Sequence, residues 1–463
     1  MQRRHFLGSA AAALLAGCQP PPPALEFAFA GIDLERGHAL RDLLAQGPLP
    51  APTLVRRAQV IIAGGGVAGL AAARSLRLAG VHDFALLELE DTPGGNSRAG
   101  AVNGVACPLG AHYLPVPGDH APEVQDLLEE LGLRQRVAGR WQYDERHLCH
   151  SPQERLFFQG DWQEGLLPVQ GVGEATLAQY RRFAERVQAL GKAARFTMPM
   201  LKSFDAKRPL APIHQALDAI TFAAWLDQEG LDDPHLRWYL DYCCRDDYGA
   251  GTARVSAWAG IHYFASRHGF HAPGEAAAED REGVLTWPEG NGWLTQRLAA
   301  PLHDGGQLRT ACSVLRITEG RHGVQVDAFN HATDSVERWQ AQRCIVALPV
   351  FMAARVVQGP PAFLRETAQR LSWAPWLVAN IHIDAPLADR PGAAPRGTTC
   401  STAMPTPVAW AMWMPATSAW TRAPCWPAPP CSATTRRWAM CRRPASNWPP
   451  SPGRTGPTPR WPR

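Results

Sequence analysis

The chain has 463 residues, enough for two or three interleaved domains, and its 46% apolar and 19% charged residues are typical of a globular protein. Its 46 Lys and Arg against 42 Asp and Glu give +4, but nine of the Arg fall within 396–463, which has no Asp, Glu or Lys; without that stretch the balance is 37 to 42, a net of −5. No basic surface with interleaved aromatics survives the correction, which excludes nucleic acid as a partner. The near absence of lysine (Lys192, Lys202 and Lys207 only) beside abundant Arg and Ala implies a GC-rich coding sequence.

Residues 1–23 read as an address rather than as fold. Arg3-Arg4 before Phe6-Leu7 resembles a twin-arginine export signal, and the apolar run 7–17 is too short to span a bilayer. Leu15-Ala16-Gly17-Cys18 resembles a bacterial lipobox, which predicts lipidation of Cys18 and a membrane-anchored protein on the periplasmic side. Gln19, in place of Asp, favours the outer membrane by enterobacterial sorting rules, and the prolines at 20–23 form a stiff tether. Residues 24–57 read as a linker. Six cysteines outside the lipobox and the tail (107, 149, 243, 244, 312 and 344) show no metal-ligand spacing, so buried free thiols and no metal site are expected.

Gln59–Ala63 is a short apolar run suited to a buried parallel strand, and Gly64, Gly66 and Gly69 follow it as GxGxxG. The first glycine permits the tight turn, the second lets backbone approach a pyrophosphate, and the third lets helix pack on strand. A helix over 68–79, entered through Val67 and Ala68, then aims its N–H groups at the phosphates. Phe84–Leu87 reads as the second strand, and Glu88 ends it 19 residues after Gly69, where a carboxylate takes ribose hydroxyls. Glu90 is the rival acid, on the same side by period-2 alternation. The spacing to Gly94-Gly95 favours Glu88.

Glu88-x5-Gly94-Gly95 resembles the ExxxxxGG extension of flavin amine oxidases, protoporphyrinogen oxidases and carotenoid desaturases. That resemblance implies FAD rather than NAD, with the glycine pair against the diphosphate and Ser97 within the same turn. The family's usual Arg after the pair is Asn96 here, with Arg98 two residues on, and either could reach the phosphate. Pro108–Tyr113 (PLGAHY) is similar to the segment lining the isoalloxazine, which implicates Gly110, Ala111, His112 and Tyr113.

Helical patterns at Glu123–Leu133, Glu174–Leu190 and Phe222–Gly230 fill the middle of the chain, where the family places its substrate domain. Asp241–Gly249 (DYCCRDDYG) and Ser256–Gly269 (SAWAGIHYFASRHG), rich in aromatics and His, read either as a cleft wall beside the flavin or as core. Leu285–Leu294 resembles the turn before the returning helix. Cys312–Ile317 and Gly323–Val326 read as a hairpin, with Val314 at the position whose backbone meets adenine in the family, and Cys344–Pro349 completes the sheet. The fold expected is α/β: a Rossmann-type FAD domain (58–118 and 285–350) interleaved with a mixed α+β substrate domain (119–284 and 351–395).

The resemblance implies hydride transfer from an amine or hydrophobic small-molecule substrate to flavin N5, with reoxidation by O2 or another, unidentified acceptor. Classical amine oxidases often hold a Lys near N5, which would fall around Pro375–Leu377, yet no Lys follows Lys207. His112, Tyr113 and His262 are the candidates for groups facing the flavin, with core packing as the alternative. Besides an oxidoreductase, the scaffold admits a desaturase or isomerase on a hydrophobic substrate, or a lipoprotein without catalysis.

From Arg396 the composition breaks. The 68 residues 396–463 hold seven Trp, fourteen Pro and four Cys but no Leu, Ile, Phe, Tyr or Gln, unlike either a folded or an ordinary disordered segment. Trp and Met have single codons, so reading Trp410–Pro415 (WAMWMP) from the last base of each codon forces Gly, one of Tyr, His, Asn or Asp, then Val, Asp, Ala. The sequence LGYVDA so permitted is similar to what such flavoproteins carry at this point. A single base lost or gained just before codon 396 accounts for the break, and the family's C-terminal FAD contact then lies in another frame. A disordered tail is the expectation for 396–463.

Overall fold

Two short strands without a polar face set the architecture. Val60–Ala63 and Phe84–Leu87 are buried along their whole length, so both faces of each must be covered. In this computed structural model they lie in a parallel sheet ordered Leu308–Arg309, Phe84–Leu87, Val60–Ala63, Arg343–Val346. Ile62 stands opposite Leu86, and Ile61 opposite Cys344. The structure describes residues 26–149, 155–159, 161–204, 209–267, 269–273, 283–374 and 376–383, with the strand Trp410–Pro415. Cys18 and the rest of 1–25 lie outside those residues, as does the remainder of 396–463.

Period-2 alternation divides the strand side chains between two cores. Val60, Ile62, Phe84 and Leu86 pack under helix Val67–Leu78, through Leu70 and Ala73, and under helix Gly292–Asp304, through Leu298, Ala299 and Leu302. Ile61, Ala63, Ala85 and Leu87 face the other way, onto Val314, Ile317, Val326 and Trp339. Each such Leu or Ile stabilises the fold by about 1.5–3 kcal/mol relative to exposure.

Those last four residues belong to a second sheet, the antiparallel meander Cys312–Gly320, Gly323–Asn330 and Ser335–Ala341. It is longer than the expected hairpin by one strand. Inside it, Asp327 accepts from Arg316 at 2.6 Å and from Arg338 at 2.7 Å, so its buried charge is paired twice. Within the stretch read above as a linker, the described residues hold a helix and a strand. Helix Leu34–Gln46 sets Leu40 and Leu43 on Leu315, Phe329 and Val336, and strand Leu54–Arg57 pairs in parallel with Ser335–Ala341.

The middle of the chain forms a separate helical core from Glu174–Ala193, Pro212–Asp218, Phe222–Gln228, Pro234–Tyr248 and Ala257–Ala265. Phe183 meets Phe270 edge-on at 4.9 Å, and Gly260 leaves room for the Phe222 ring. Helix Pro234–Tyr248 starts where the Asp233 carboxylate accepts from the His235 and Leu236 N–H groups, and stops at Gly249 with φ 65°. Cys107, Cys243, Cys244, Cys312 and Cys344 are free thiols, all buried except the half-buried Cys344, and Cys149 is buried as well. Among the described residues no helix is long and apolar enough to cross a membrane.

Candidate cofactor site

The glycine turn is built from close approaches. Gly64 takes φ 104°, and a Cβ there would lie 2.6 Å from the Ala347 carbonyl oxygen. A Cβ on Gly69 would come within 1.9 Å of Gly64 O, so only glycine lets the helix start against the strand end. Gly66 differs: beyond its sequence neighbours, the nearest atom is the Gly95 Cα, 3.9 Å from where a Cβ would be. The space above it is open. Gly66 also caps helix Val67–Leu78 without a side-chain acceptor, and Val67 and Ala68 are exposed. The first-turn N–H groups are therefore left for an anion, as a pyrophosphate requires.

The second glycine pair is held against the first turn. Gly94 N donates to Gly65 O at 2.8 Å, and Gly66 and Gly94 form a parallel bridge. Gly95 has φ 56° and opens the short 3-10 turn Gly95–Ser97. Glu88 is 7% exposed at the end of its strand. One carboxylate oxygen accepts from Gly65 N at 2.7 Å and the other from Glu90 N at 2.9 Å. Burial raises the Glu88 carboxyl above its ordinary range, opposed by those two N–H groups and by Arg98. A carboxylate offers about four lone-pair sites, so capacity remains for ribose hydroxyls.

Asn96 and Arg98, equal candidates by sequence, part company here. Asn96 is exposed, and its carbonyl accepts from Ala111 N at 2.8 Å. Arg98 is 7% exposed, donates to Gly95 O at 3.2 Å and lies 3.8 Å from the Glu90 carboxylate. It braces the turn from beneath. Gly110 passes so close to Asn96 O that a Cβ would sit 2.1 Å from it, which fastens the segment 108–113 to the glycine turn. Val314 is buried in its strand, and the neighbouring Cys312 N donates to Glu88 O at 2.7 Å, which brings the meander to the ribose end.

His112 and Tyr113 come together with ring centroids 5.0 Å apart. The returning segment holds their backbone: Thr286 Oγ1 donates to His112 O at 3.1 Å and Asn291 Nδ2 to Tyr113 O at 2.9 Å. Thr295 Oγ1 donates to Ser97 O at 2.9 Å, completing the link between the two halves of the domain. None of these three residues was singled out above; the only signal was their place in or beside LTWPEGNGWL. Burial lowers the His112 imidazole to about 4, so it is neutral at physiological pH. His262 belongs elsewhere. Its Nε2 pairs with Thr197 O at 2.9 Å and its ring stacks on Trp258 at 4.8 Å, a helical-core role.

Just past helix Ala257–Ala265, Arg267 donates to Asp247 at 2.7 Å and lies 4.1 Å from the Tyr263 ring centre. Beside this pair, burial and the neighbouring Asp247 raise the Asp246 carboxyl to about 6. Strand Trp376–Ile381, which begins where a lysine would stand in classical amine oxidases, reaches the segment 108–113: Asn380 Nδ2 donates to Pro108 O at 2.8 Å. It pairs antiparallel with Trp410–Pro415, the one strand described within 396–463.

A parallel sheet with a glycine turn, a carboxylate after the second strand and a second glycine pair against the first defines a dinucleotide-binding flavoprotein. The family model for flavin-containing amine oxidoreductases matches residues 67–427, and the chain belongs to that family, whose cofactor is FAD. Its fold is similar to wild-type putrescine oxidase bound to putrescine, with 21% identity, 71% of this chain and 67% of that one covered, and TM-score 0.53. An engineered putrescine oxidase double mutant gives 22%, 71%, 66% and 0.53. Cyclohexylamine oxidase from Brevibacterium oxydans gives 18%, 70%, 66% and 0.50. The chain thus spans about two thirds of the length of these structures. No curated protein matches it by sequence.

Proposed function

We propose that this chain is an FAD-dependent oxidoreductase that removes hydride from a small-molecule substrate, with an amine as the substrate class. The observation that carries the reading is the convergence of Gly64, Gly66, Gly69, Glu88, Gly94 and Gly95 on one end of the parallel sheet, with the space above Gly66 open. Bound FAD supplies the hydride acceptor. The residues that would hold it are Glu88 for the ribose, the helix N-terminus for the phosphates and Pro108–Tyr113 for the ring. A neutral His112 accepts or donates a hydrogen bond without adding charge beside the flavin. The amine assignment is supported by the similar fold of the putrescine and cyclohexylamine oxidases.

The test is spectroscopic. Purified full-length chain reconstituted with FAD should show the visible flavin absorption, and anaerobic addition of primary alkylamines should bleach it. Flavin binding without bleaching by any amine would reject the substrate class; failure to bind flavin would reject the whole reading.

A further inference from the structure

The segment ahead of the glycine turn reaches across the ribose loop, and it lies outside residues 67–427, the part that matches the family. Loop Glu88–Asp91 exposes three successive carbonyls. Glu88 O accepts from Cys312 N at 2.7 Å and Glu90 O from Ala311 N at 2.9 Å, both partners at the start of the meander. The carbonyl between them, Leu89 O, is taken by Arg36 NH1 at 2.8 Å, and the same nitrogen lies 3.1 Å from Asp91 Oδ1. The Arg36 side chain is only 13% exposed. Asp33 N donates to both oxygens of Glu90, at 3.1 and 3.3 Å, so the rival acid is occupied on its outer side. Gly31, with φ 91°, rests on Leu109, where a Cβ would be 2.7 Å from Cδ1.

Helix Leu34–Gln46 cannot follow the loop if the loop moves, because Leu40 and Leu43 fix it to the meander. Asp33 sets the geometry at its start by accepting from Arg36 N at 2.8 Å. The loop is therefore held on one flank by meander backbone and on the other by a side chain from a helix mounted on that meander. We propose that residues Gly31–Arg36 form a strap that positions the Glu88 loop and slows release of FAD, with Arg36 as its principal residue. The inference rests on the FAD reading above. Arg36 acts through the loop and is a positioning residue, since its bonds go to Leu89 and Asp91.

Full-length protein would be titrated with FAD and its flavin release followed by fluorescence. Arg36→Ala should raise the FAD dissociation constant roughly five- to twentyfold, less than the full value of a charge-assisted hydrogen bond because Arg36 acts through the loop, chiefly through faster release. Arg36→Lys should recover most of the loss, because an ammonium can still reach one oxygen. Gly31→Ala should act in the same direction by lifting the strap off Leu109. Arg41→Ala, on the same helix and paired only with the exposed Asp42, should stay within about twofold of wild type. Unchanged release in both strap variants would overturn the proposal. So would an equal loss of thermal stability with and without FAD at an unchanged dissociation constant, since that marks a purely structural helix. If wild type takes up no FAD the parent reading fails and the strap falls with it; if wild type binds and the variants match it, the strap alone fails.

Discussion

Gly66 and Gly69 are three residues apart and carry different burdens. A methyl group on Gly69 would meet Gly64 O at 1.9 Å, whereas one on Gly66 would meet nothing nearer than 3.9 Å. Gly69→Ala is expected to destabilise the apo-protein by about 1–3 kcal/mol, the usual cost of overpacking. Gly66→Ala, at φ −70°, should leave apo stability unchanged within about 0.5 kcal/mol and still abolish FAD binding. Thermal melts with and without FAD separate the two, and a Gly66→Ala protein that binds FAD normally would count against the cradle. His112 gives a pH prediction. Unfolded imidazole protonates near 6.5 and the folded one near 4, so the unfolded state binds more protons between those values. Stability should fall as pH drops through that window, and His112→Gln should flatten the dependence in melts run from pH 4 to 7.

Among the elements, the meander concentrates the electrostatic stake. Burial alone would raise the Asp327 carboxyl, but hydrogen bonds from Arg338 and Arg316 hold it below its ordinary range. Its contribution is therefore present above the unfolded pKa and lost as pH falls through the folded one. Asp327→Asn should cost about 2–3 kcal/mol at pH 7, less than a fully buried pair because both arginines remain partly exposed. Its penalty should shrink as pH falls from the unfolded pKa, near 4, toward the lower folded one, where the wild type loses the charge too. Urea titrations at pH 7 and across that window measure this. The elements legible in the sequence were those with local punctuation: Phe84–Leu87 was bounded correctly, and helix Val67–Leu78 differed by one residue at each end. Helix Leu34–Gln46 and strand Leu54–Arg57 were missed for a physical reason. The strand is largely exposed and its pairing, Leu54 to Glu337, is a long-range contact that no local pattern announces. The split between Asn96 and Arg98 was likewise invisible, because spacing does not say which side chain turns inward.

For the whole molecule, the open question is the reading frame. Strand Trp376–Ile381 pairs with Trp410–Pro415, so the fold places a strand where the composition has already broken. We propose a single-base change just before codon 396. Resequencing the DNA across codons 380–463 should show a shifted frame that stays open and leads to a further glycine-rich segment. A confirmed frame with early stops in the shifted one would instead make 396–463 a genuine part of the protein.

The order of strands in the parallel sheet has a consequence for biosynthesis. Val60–Ala63 finds one neighbour in Phe84–Leu87 almost at once, but its other neighbour is Arg343–Val346, with Val60 paired to Arg343. At roughly 5–20 residues per second, translation leaves about 15–60 s between the two arrivals. Throughout that interval an apolar strand edge stays unpaired, a template for association with other nascent chains. The carbonyl of Ala347, against which the glycine turn is shaped, also arrives only then. Flavin loading therefore belongs after Arg343–Ala347 has joined the sheet, near the end of synthesis.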